Sequence, residues 1–175
     1  MKRLFLTTAL FALAPTAAMA QDAIDYGFST GDQQFTLSGT GSNDKDFDTG
    51  SFGLSAGYSY FLTDNIEVGV RQDLTWADSG DDSAWNGTTR IAADYNFDLG
   101  RFQPFVGAAI GYTYGDTTNE TGVIGPEAGL KFFANDTTFI YGQTSYQFFF
   151  DDSDDINDNF DDGSWIHTVG LGFTF

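Results

Sequence analysis

The chain has 175 residues, of which 25 are acidic and seven basic, giving a formal net charge of −18. That charge repels a phosphate backbone and excludes nucleic acid as a partner, and the lack of cysteine removes both a disulfide framework and thiol chemistry. Mean hydropathy is −0.21, and the one long apolar run is at the extreme N-terminus, so no spanning helix is expected in the rest of the chain.

Residues 1–20, MKRLFLTTALFALAPTAAMA, begin with Lys2 and Arg3, continue as an apolar run from Leu4 to Ala14 and finish on Ala18-Met19-Ala20. A basic start, a short apolar stretch and an A-x-A ending are the plan of a secretory signal peptide, and they fit export better than a core helix. Its removal leaves five basic residues, Lys45, Arg71, Arg90, Arg101 and Lys131, against the 25 acidic ones. Residues 21–32 then form a lead-in to the first periodic segment.

The chain carries 21 Gly, 19 Phe and 8 Tyr but only 3 Pro. Together with period-two alternation, these point to an all-β domain over residues 33–175. Eight strands are predicted, at 33–42, 51–62, 65–77, 86–98, 102–115, 122–134, 137–150 and 164–175. Each is long enough for the ~9–11 residues that a tilted strand needs to cross a bilayer. No fixed-period repeat is visible, which disfavours a solenoid or propeller. Leu62–Asn65, Asp98–Arg101 and Ala134–Thr137 have the Asn, Asp and Gly chemistry of tight turns. Longer polar segments, at 42–50, 77–87, 115–122 and 151–163, alternate with them. Short and long connections in alternation describe a meander with two unequal ends.

In the third strand, NIEVGVRQDLTW, Ile66, Val68, Val70, Leu74 and Trp76 share one parity, and Glu67, Arg71 and Asp73 share the other. Successive strand residues face opposite sides, so every strand divides into an apolar row and a row that is small, polar or charged. Position along the apolar rows adds a second regularity. Trp76, Tyr112, Tyr114, Phe148, Phe150 and Trp165 stand toward the long-loop ends, while Tyr58, Tyr60, Tyr95, Phe97, Phe132, Phe173 and Phe175 stand toward the short turns. Between them the row is mostly aliphatic or small. Two aromatic girdles around an aliphatic belt suit a bilayer, because Trp and Tyr pair an apolar body with a polar tip. A soluble β-sandwich accounts for the alternation but gives no reason for aromatics at both ends of nearly every strand. The expected fold is therefore an eight-stranded antiparallel up-and-down transmembrane β-barrel with its apolar face outward.

Stretches such as FTLSGTGSNDKDFDTGSFGLS, YFLTDNIEVGVRQ, RFQPFVGAAIGY, GPEAGLKFFANDTTFIYG and HTVGLGFTF, with the signal peptide, resemble the small outer-membrane β-barrels of Gram-negative bacteria, of the OmpA or OmpX type. The resemblance covers essentially all of the chain after residue 20 and implies a monomer in the cell outer membrane. It implies a periplasmic lead-in and short turns, acidic extracellular loops, and contact with outer-membrane lipids and lipopolysaccharide. Val169, Leu171, Phe173 and Phe175 are similar to the C-terminal signal read by the barrel assembly machinery. Because the sequence stops there, the periplasmic peptidoglycan-binding domain of full-length OmpA-type proteins is not expected.

An eight-stranded barrel has an interior just wide enough for side chains to fill. Glu67, Arg71, Asp73, Arg90, Asp94, Glu127 and Lys131 are expected to meet there, and Arg71 and Arg90 can reach Asp73 and Asp94 directly or diagonally across adjacent strands. A paired network follows, because an unpaired buried charge costs several kcal/mol. It serves either as a polar plug or as a gated ion path, and the plug is favoured for a barrel of this size. In the acidic loop Asp151 to Asp162, Phe160 and Ile166 stand where an EF-hand loop needs Gly and Glu. The EF-hand is rejected in favour of a solvated charge run. His167, the only histidine, shares the lipid-facing parity, and no serine of that parity neighbours it along the strand. Asn86-Gly87-Thr88 and Asn119-Glu120-Thr121 match the glycosylation pattern by accident in a bacterial product. No cofactor, metal site or catalytic set is expected. The expected function is structural, with displayed acidic loops. A small porin-like channel is the alternative, and a lipid-modifying enzyme is a third reading that lacks a supporting constellation.

Overall fold

The computed structural model describes residues 26–44, 50–78, 83–115, 121–150 and 163–175, with backbone alone at 43–44, 50–52, 77–78 and 83–84. The expected signal peptide and the loop Asp151 to Asp162 lie outside the described residues. The strands are β1 (Gln33–Asp44), β2 (Gly50–Phe61), β3 (Ile66–Asp78), β4 (Ser83–Asn96), β5 (Phe102–Gly115), β6 (Thr121–Phe133), β7 (Thr138–Phe150) and β8 (Gly163–Thr174). Each pairs antiparallel with the next, and β1 pairs with β8, so the sheet closes on itself. Closure leaves no strand edge with unpaired backbone groups, which a hydrocarbon environment would penalise heavily.

The three short connections use side chains to satisfy their backbones. The Thr63 hydroxyl accepts from the Ile66 amide at 2.9 Å, and the Asn135 side-chain carbonyl accepts from the Thr138 amide at 2.7 Å. Asp98 accepts from the Gly100 amide at 3.0 Å, and Gly100 itself takes φ 72°, a left-handed conformation that glycine adopts without strain. β4 ends at Asn96 rather than Asp98, because the Phe97 amide already turns to the Pro104 carbonyl and Leu99 bridges to Phe102.

The two faces are inverted relative to a water-soluble barrel. Ile91 is 61% exposed on the outside, whereas its neighbour Arg90 is 2% exposed inside. Leu37, Leu54, Val70, Val106, Ile110 and Ile140 likewise stand on the outer face. Gln34, Thr36, Ser38, Thr40, Gln143 and Ser145 are buried in the lumen. Placing these aliphatic groups outside is unfavourable in water and favourable in lipid.

The lumen is not uniformly polar. At the short-turn end Phe61, Phe133, Phe139 and Tyr141 point inward and surround Phe28 from the lead-in, forming a buried hydrophobic cluster. Two large lumen rings find room over glycines: the Phe105 ring lies where a side chain at Gly129 would be, and the Phe139 ring does the same at Gly172. Alternating small and large residues across facing strands lets a narrow barrel fill without voids.

Candidate functional site

The structure places the seven charged residues expected in the lumen there, as one group of three and two separate ion pairs. Arg71 on β3 donates from Nη2 to Asp94 Oδ2 on β4 at 2.6 Å and from Nη1 to Glu127 on β6. Glu127 accepts a further bond from Gln143 Nε2 at 2.9 Å. Arg90 donates from Nε and Nη2 to Asp73 Oδ2 at 2.9 and 2.6 Å. Nearer the short turns, Lys131 Nζ donates to Glu67 at 2.8 Å and to Gln34 at 3.1 Å.

The register explains this arrangement. Arg71 stands directly opposite Arg90, and Glu67 directly opposite Asp94. Like charges face each other across the β3–β4 ladder, an unfavourable placement for short side chains. The long guanidinium arms relieve it by reaching along and across the lumen to carboxylates on other rungs. Asp73, Asp94 and Glu127 thereby gain charge-assisted hydrogen bonds, the stronger kind, and Glu67 gains its own from the Lys131 ammonium.

Below this layer an aromatic stopper closes the short-turn end. Phe28 stacks on Phe61 at 4.0 Å between ring centroids and meets Phe133 edge-on at 5.3 Å. Lys131 Nζ lies 4.7, 5.2, 5.5 and 5.7 Å from the ring centroids of Phe28, Phe105, Phe61 and Phe139. The ammonium therefore sits between Glu67 and a cage of ring faces, each able to attract a cation by roughly 0.5–2 kcal/mol.

The lead-in is fastened where it enters the barrel. Asp64 in the β2–β3 turn accepts from the Thr30 amide and hydroxyl, both at 2.8 Å. These two bonds, the hydroxyl's first, hold its carboxyl below the usual range. The Gly31 amide donates to the Phe61 carbonyl at 2.9 Å, with Gly31 at φ 101°, and the Phe61 amide returns a bond to Asp32. The Arg101 guanidinium stacks 4.6 Å over the Tyr26 ring and hydrogen-bonds its hydroxyl, while Gln103 Nε2 donates to the Tyr26 carbonyl at 2.7 Å.

Sequence reasoning missed this stopper. Phe61 and Phe133 each follow an outward-facing aromatic, and Phe139 precedes an outward-facing Ile140, so their inward parity is hidden among outward residues. Phe28 belongs to a segment with no periodicity at all. The available signal was the pairs Tyr60-Phe61 and Phe132-Phe133, in which adjacent strand positions must put one ring on each face.

Open space in the lumen is divided. A gap of about 20 Å³ lies among Gln34, Glu67, Arg71 and Lys131, between the charged layer and the stopper. It has room for about one water molecule. Above the layer, toward the long-loop end, lies a larger space of about 260 Å³ lined by Thr40, Asp73, Thr88, Thr113, Phe149 and Ile166 among others.

On the outer face, Trp76 and Tyr112 at one end and Tyr58, Tyr60 and Tyr95 at the other are exposed. Phe148 and Trp165 pack against Tyr146 at 4.8 and 4.9 Å, Tyr114 lies over Gly87, and Phe150 lies over Gly122. Val169, Leu171, Phe173 and Phe175 project outward from the last strand. His167 also faces out, and its Nδ1 lies 3.0 Å from the Thr144 hydroxyl on β7. That partner comes from the neighbouring strand, where inspection along a single strand could not find it. Among the described residues no carboxylate hydrogen-bonds the ring, so the pair lacks the third group that would orient it as a base.

Several solved structures share this architecture. The outer membrane protein OprG from Pseudomonas aeruginosa aligns at 12% identity over 86% of this chain and 99% of that one, with a TM-score of 0.63. Neisserial surface protein A aligns at 12% identity over 84% and 98%, with a TM-score of 0.62. The N-terminal β-barrel domain of Pseudomonas aeruginosa OprF aligns at 19% identity over 81% and 97%, with a TM-score of 0.56. No family model and no curated protein matches the sequence. At such identities the likeness is one of fold: the chain has the closed eight-stranded barrel of the small outer-membrane proteins.

Proposed function

We propose that this protein is a structural component of the bacterial outer membrane that presents its acidic loops at the cell surface and has a sealed lumen. The supporting observation is two barriers in series, a layer of ion-paired side chains and an aromatic stopper, with only a water-sized gap between them. An ion crossing this path must part buried charge pairs and displace packed rings. Each of those steps costs several kcal/mol.

The outward aliphatic belt and aromatic girdles support contact with outer-membrane lipids and lipopolysaccharide, and the outward row of Val169, Leu171 and Phe173 on β8 and Phe175 after it supports recognition by the assembly machinery. Full backbone closure within one chain supports a monomer. Neisserial surface protein A is by its name a surface protein, in keeping with a display role here. No enzymatic step is assigned.

Planar-bilayer recording of refolded protein tests the seal. The expected result is no steady unitary conductance. Discrete openings that change size in Arg71→Ala or Arg90→Ala would replace the plug with a porin-like channel gated by the charged layer. Detergent dependence is the separate test of membrane insertion, and a folded protein soluble without detergent would overturn it.

A further inference from the structure

Counting charge in the lumen leaves a remainder. Among the described residues the lumen holds four carboxyl groups, on Glu67, Asp73, Asp94 and Glu127, against three cations, Arg71, Arg90 and Lys131, and none of these side chains is more than 17% exposed. Arg90 and Asp73 cancel as a pair. What remains is Glu67, Asp94 and Glu127 with only Arg71 and Lys131. If every group is ionised, the layer carries one uncompensated negative charge inside a wall whose outer face is apolar. A buried charge without a partner is costly and is ordinarily removed by protonation.

The register shows where the surplus lies. Glu67 on β3 stands opposite Asp94 on β4, Asp94 opposite Gly107 on β5, and Gly107 opposite Glu127 on β6. Three carboxyl groups thus share one rung, and the position between Asp94 and Glu127 has no side chain to separate them. Asp94 Oδ1 fills that notch, occupying the space that a Cβ at Gly107 would need. The Asp94 and Glu127 carboxyl groups are within hydrogen-bonding reach of each other, and one guanidinium, that of Arg71, serves both.

The hydrogen bonds single out one oxygen. Glu127 accepts from Arg71 on one oxygen and from Gln143 Nε2, at 2.9 Å, on the other. Glu67 accepts from Lys131 at 2.8 Å and from the Ser59 hydroxyl at 3.4 Å. Asp94 uses Oδ2 for Arg71 at 2.6 Å, but its Oδ1, in a side chain only 1% exposed, accepts nothing. Buried carboxylate oxygens without a donor are uncommon. A proton on Oδ1 turns this orphaned acceptor into a donor with Glu127 in reach. It replaces repulsion between two neighbours with a hydrogen bond to an ionised acceptor, the stronger kind, and it brings the charge count to zero. A metal ion does not fit in its place. Among the described residues no three acidic or histidine side chains converge to hold one, and the water-sized gap beside the layer is lined by Arg71 and Lys131, which repel a further cation.

We infer that Asp94 and Glu127 form a proton-binding site in the lumen, in which Asp94 is a neutral carboxylic acid at neutral pH and donates from Oδ1 to ionised Glu127. The ionisable groups around the pair are Glu67 and Arg71 from β3, Arg90 from β4, Lys131 from β6 and, beside Lys131, Tyr141 from β7. The other described strands present none to the lumen. The charged layer is then neutral as a whole, and its packing depends on one retained proton.

Infrared spectroscopy of the refolded full chain in phospholipid vesicles, in heavy water at neutral pH, tests this. Exposed carboxyl groups are ionised there, so a carboxylic-acid carbonyl band reports a buried proton. The expected result is one such band, lost in Asp94→Asn. Asparagine keeps the shape and can donate to Glu127, so this variant should retain the heat-shifted gel migration of a closed barrel. Glu127→Gln is the second variant and serves if Asp94→Asn fails to fold. With Glu127 neutral, two carboxylates face two cations, and the band should vanish there too. Absence of the band from the unmodified protein would overturn the proton site. A band that persists in Asp94→Asn would overturn its assignment to Asp94. A band lost in Asp94→Asn but retained in Glu127→Gln would overturn the pairing, because burial alone would then keep Asp94 neutral. Because the readout is infrared absorption rather than current, a conducting lumen would refute the seal and leave the protonated carboxyl standing.

Discussion

Replacing Phe28 by alanine removes the ring around which the stopper is packed. Phe28 is 5% exposed, stacks on Phe61, meets Phe133 and Phe139 edge-on, and lies under the Lys131 ammonium. Burial loss for Phe→Ala in a core is about 3–5 kcal/mol. Ring pairs of this geometry add about 0.5–1.5 kcal/mol each, much of it already contained in that figure. The lower bound applies, because the lead-in ends at the mouth of the barrel and water can enter the space that is left. The lead-in should therefore open about 3 kcal/mol more easily, which at 1.4 kcal/mol per tenfold is roughly a hundredfold larger open population. Amide hydrogen exchange reads this directly. The Gly31 amide, bonded to the Phe61 carbonyl, and the Phe61 amide, bonded to Asp32, should lose about two orders of magnitude of protection. Central amides such as Val70 should be unchanged. Equal protection in the variant would mean that the ring is not what holds the lead-in. Exchange rising throughout the barrel would mean that the stopper is part of the global core rather than a local closure.

Arg71→Ala strands Asp94 and Glu127 in the lumen, and breaking a buried pair from one side costs about 3–5 kcal/mol; urea unfolding in lipid vesicles should show it. Adding Asp94→Asn and Glu127→Gln should recover most of the loss, and no recovery would refute the charge argument. Val70→Arg places a cation at mid-strand on the lipid face and should cost about 2–4 kcal/mol in the same assay if that face meets the bilayer midplane; a neutral effect would count against the outward assignment. Asp64 has a folded pKa below its ordinary value, so its bonds to Thr30 stabilise the lead-in above the ordinary carboxylate range and are lost only as pH falls through the lowered value. The Thr30 amide shift should titrate with a midpoint below about 3.9 and not at all in Asp64→Asn; a midpoint at or above that figure would refute the latch.

Much of this molecule was legible because period two is a strong signal in long strands with one apolar face. Glu67, Arg71 and Asp73 could be assigned to the lumen from parity alone, and Asn135 and Gly100 mark their turns by known local chemistry. Parity says nothing, however, about which rung faces which. That Arg71 stands opposite Arg90 and pairs instead with Asp94 and Glu127 depends on register and on side-chain length. The stopper was hidden for a different reason. Aromatics on both faces near a turn blur the alternation, and Phe28 reaches its partners from outside any strand. The Thr144–His167 contact likewise joins residues 23 positions apart, visible only once β7 and β8 are paired.

The seam between the first and last strands bears on how the protein is made. Gln33 exchanges backbone hydrogen bonds with Phe175 at 3.0 and 2.9 Å, so the two ends of the barrel sequence meet as neighbours. Every other strand pair can form between segments adjacent in the chain, whereas this one must close a loop spanning the whole domain. Loop closure of that length is entropically costly and slows folding. Until it happens, β1 and β8 are open edges able to pair with another chain. Closing the seam is thus expected to be the last step of maturation, and the interval before it is when a nascent molecule is most prone to aggregate.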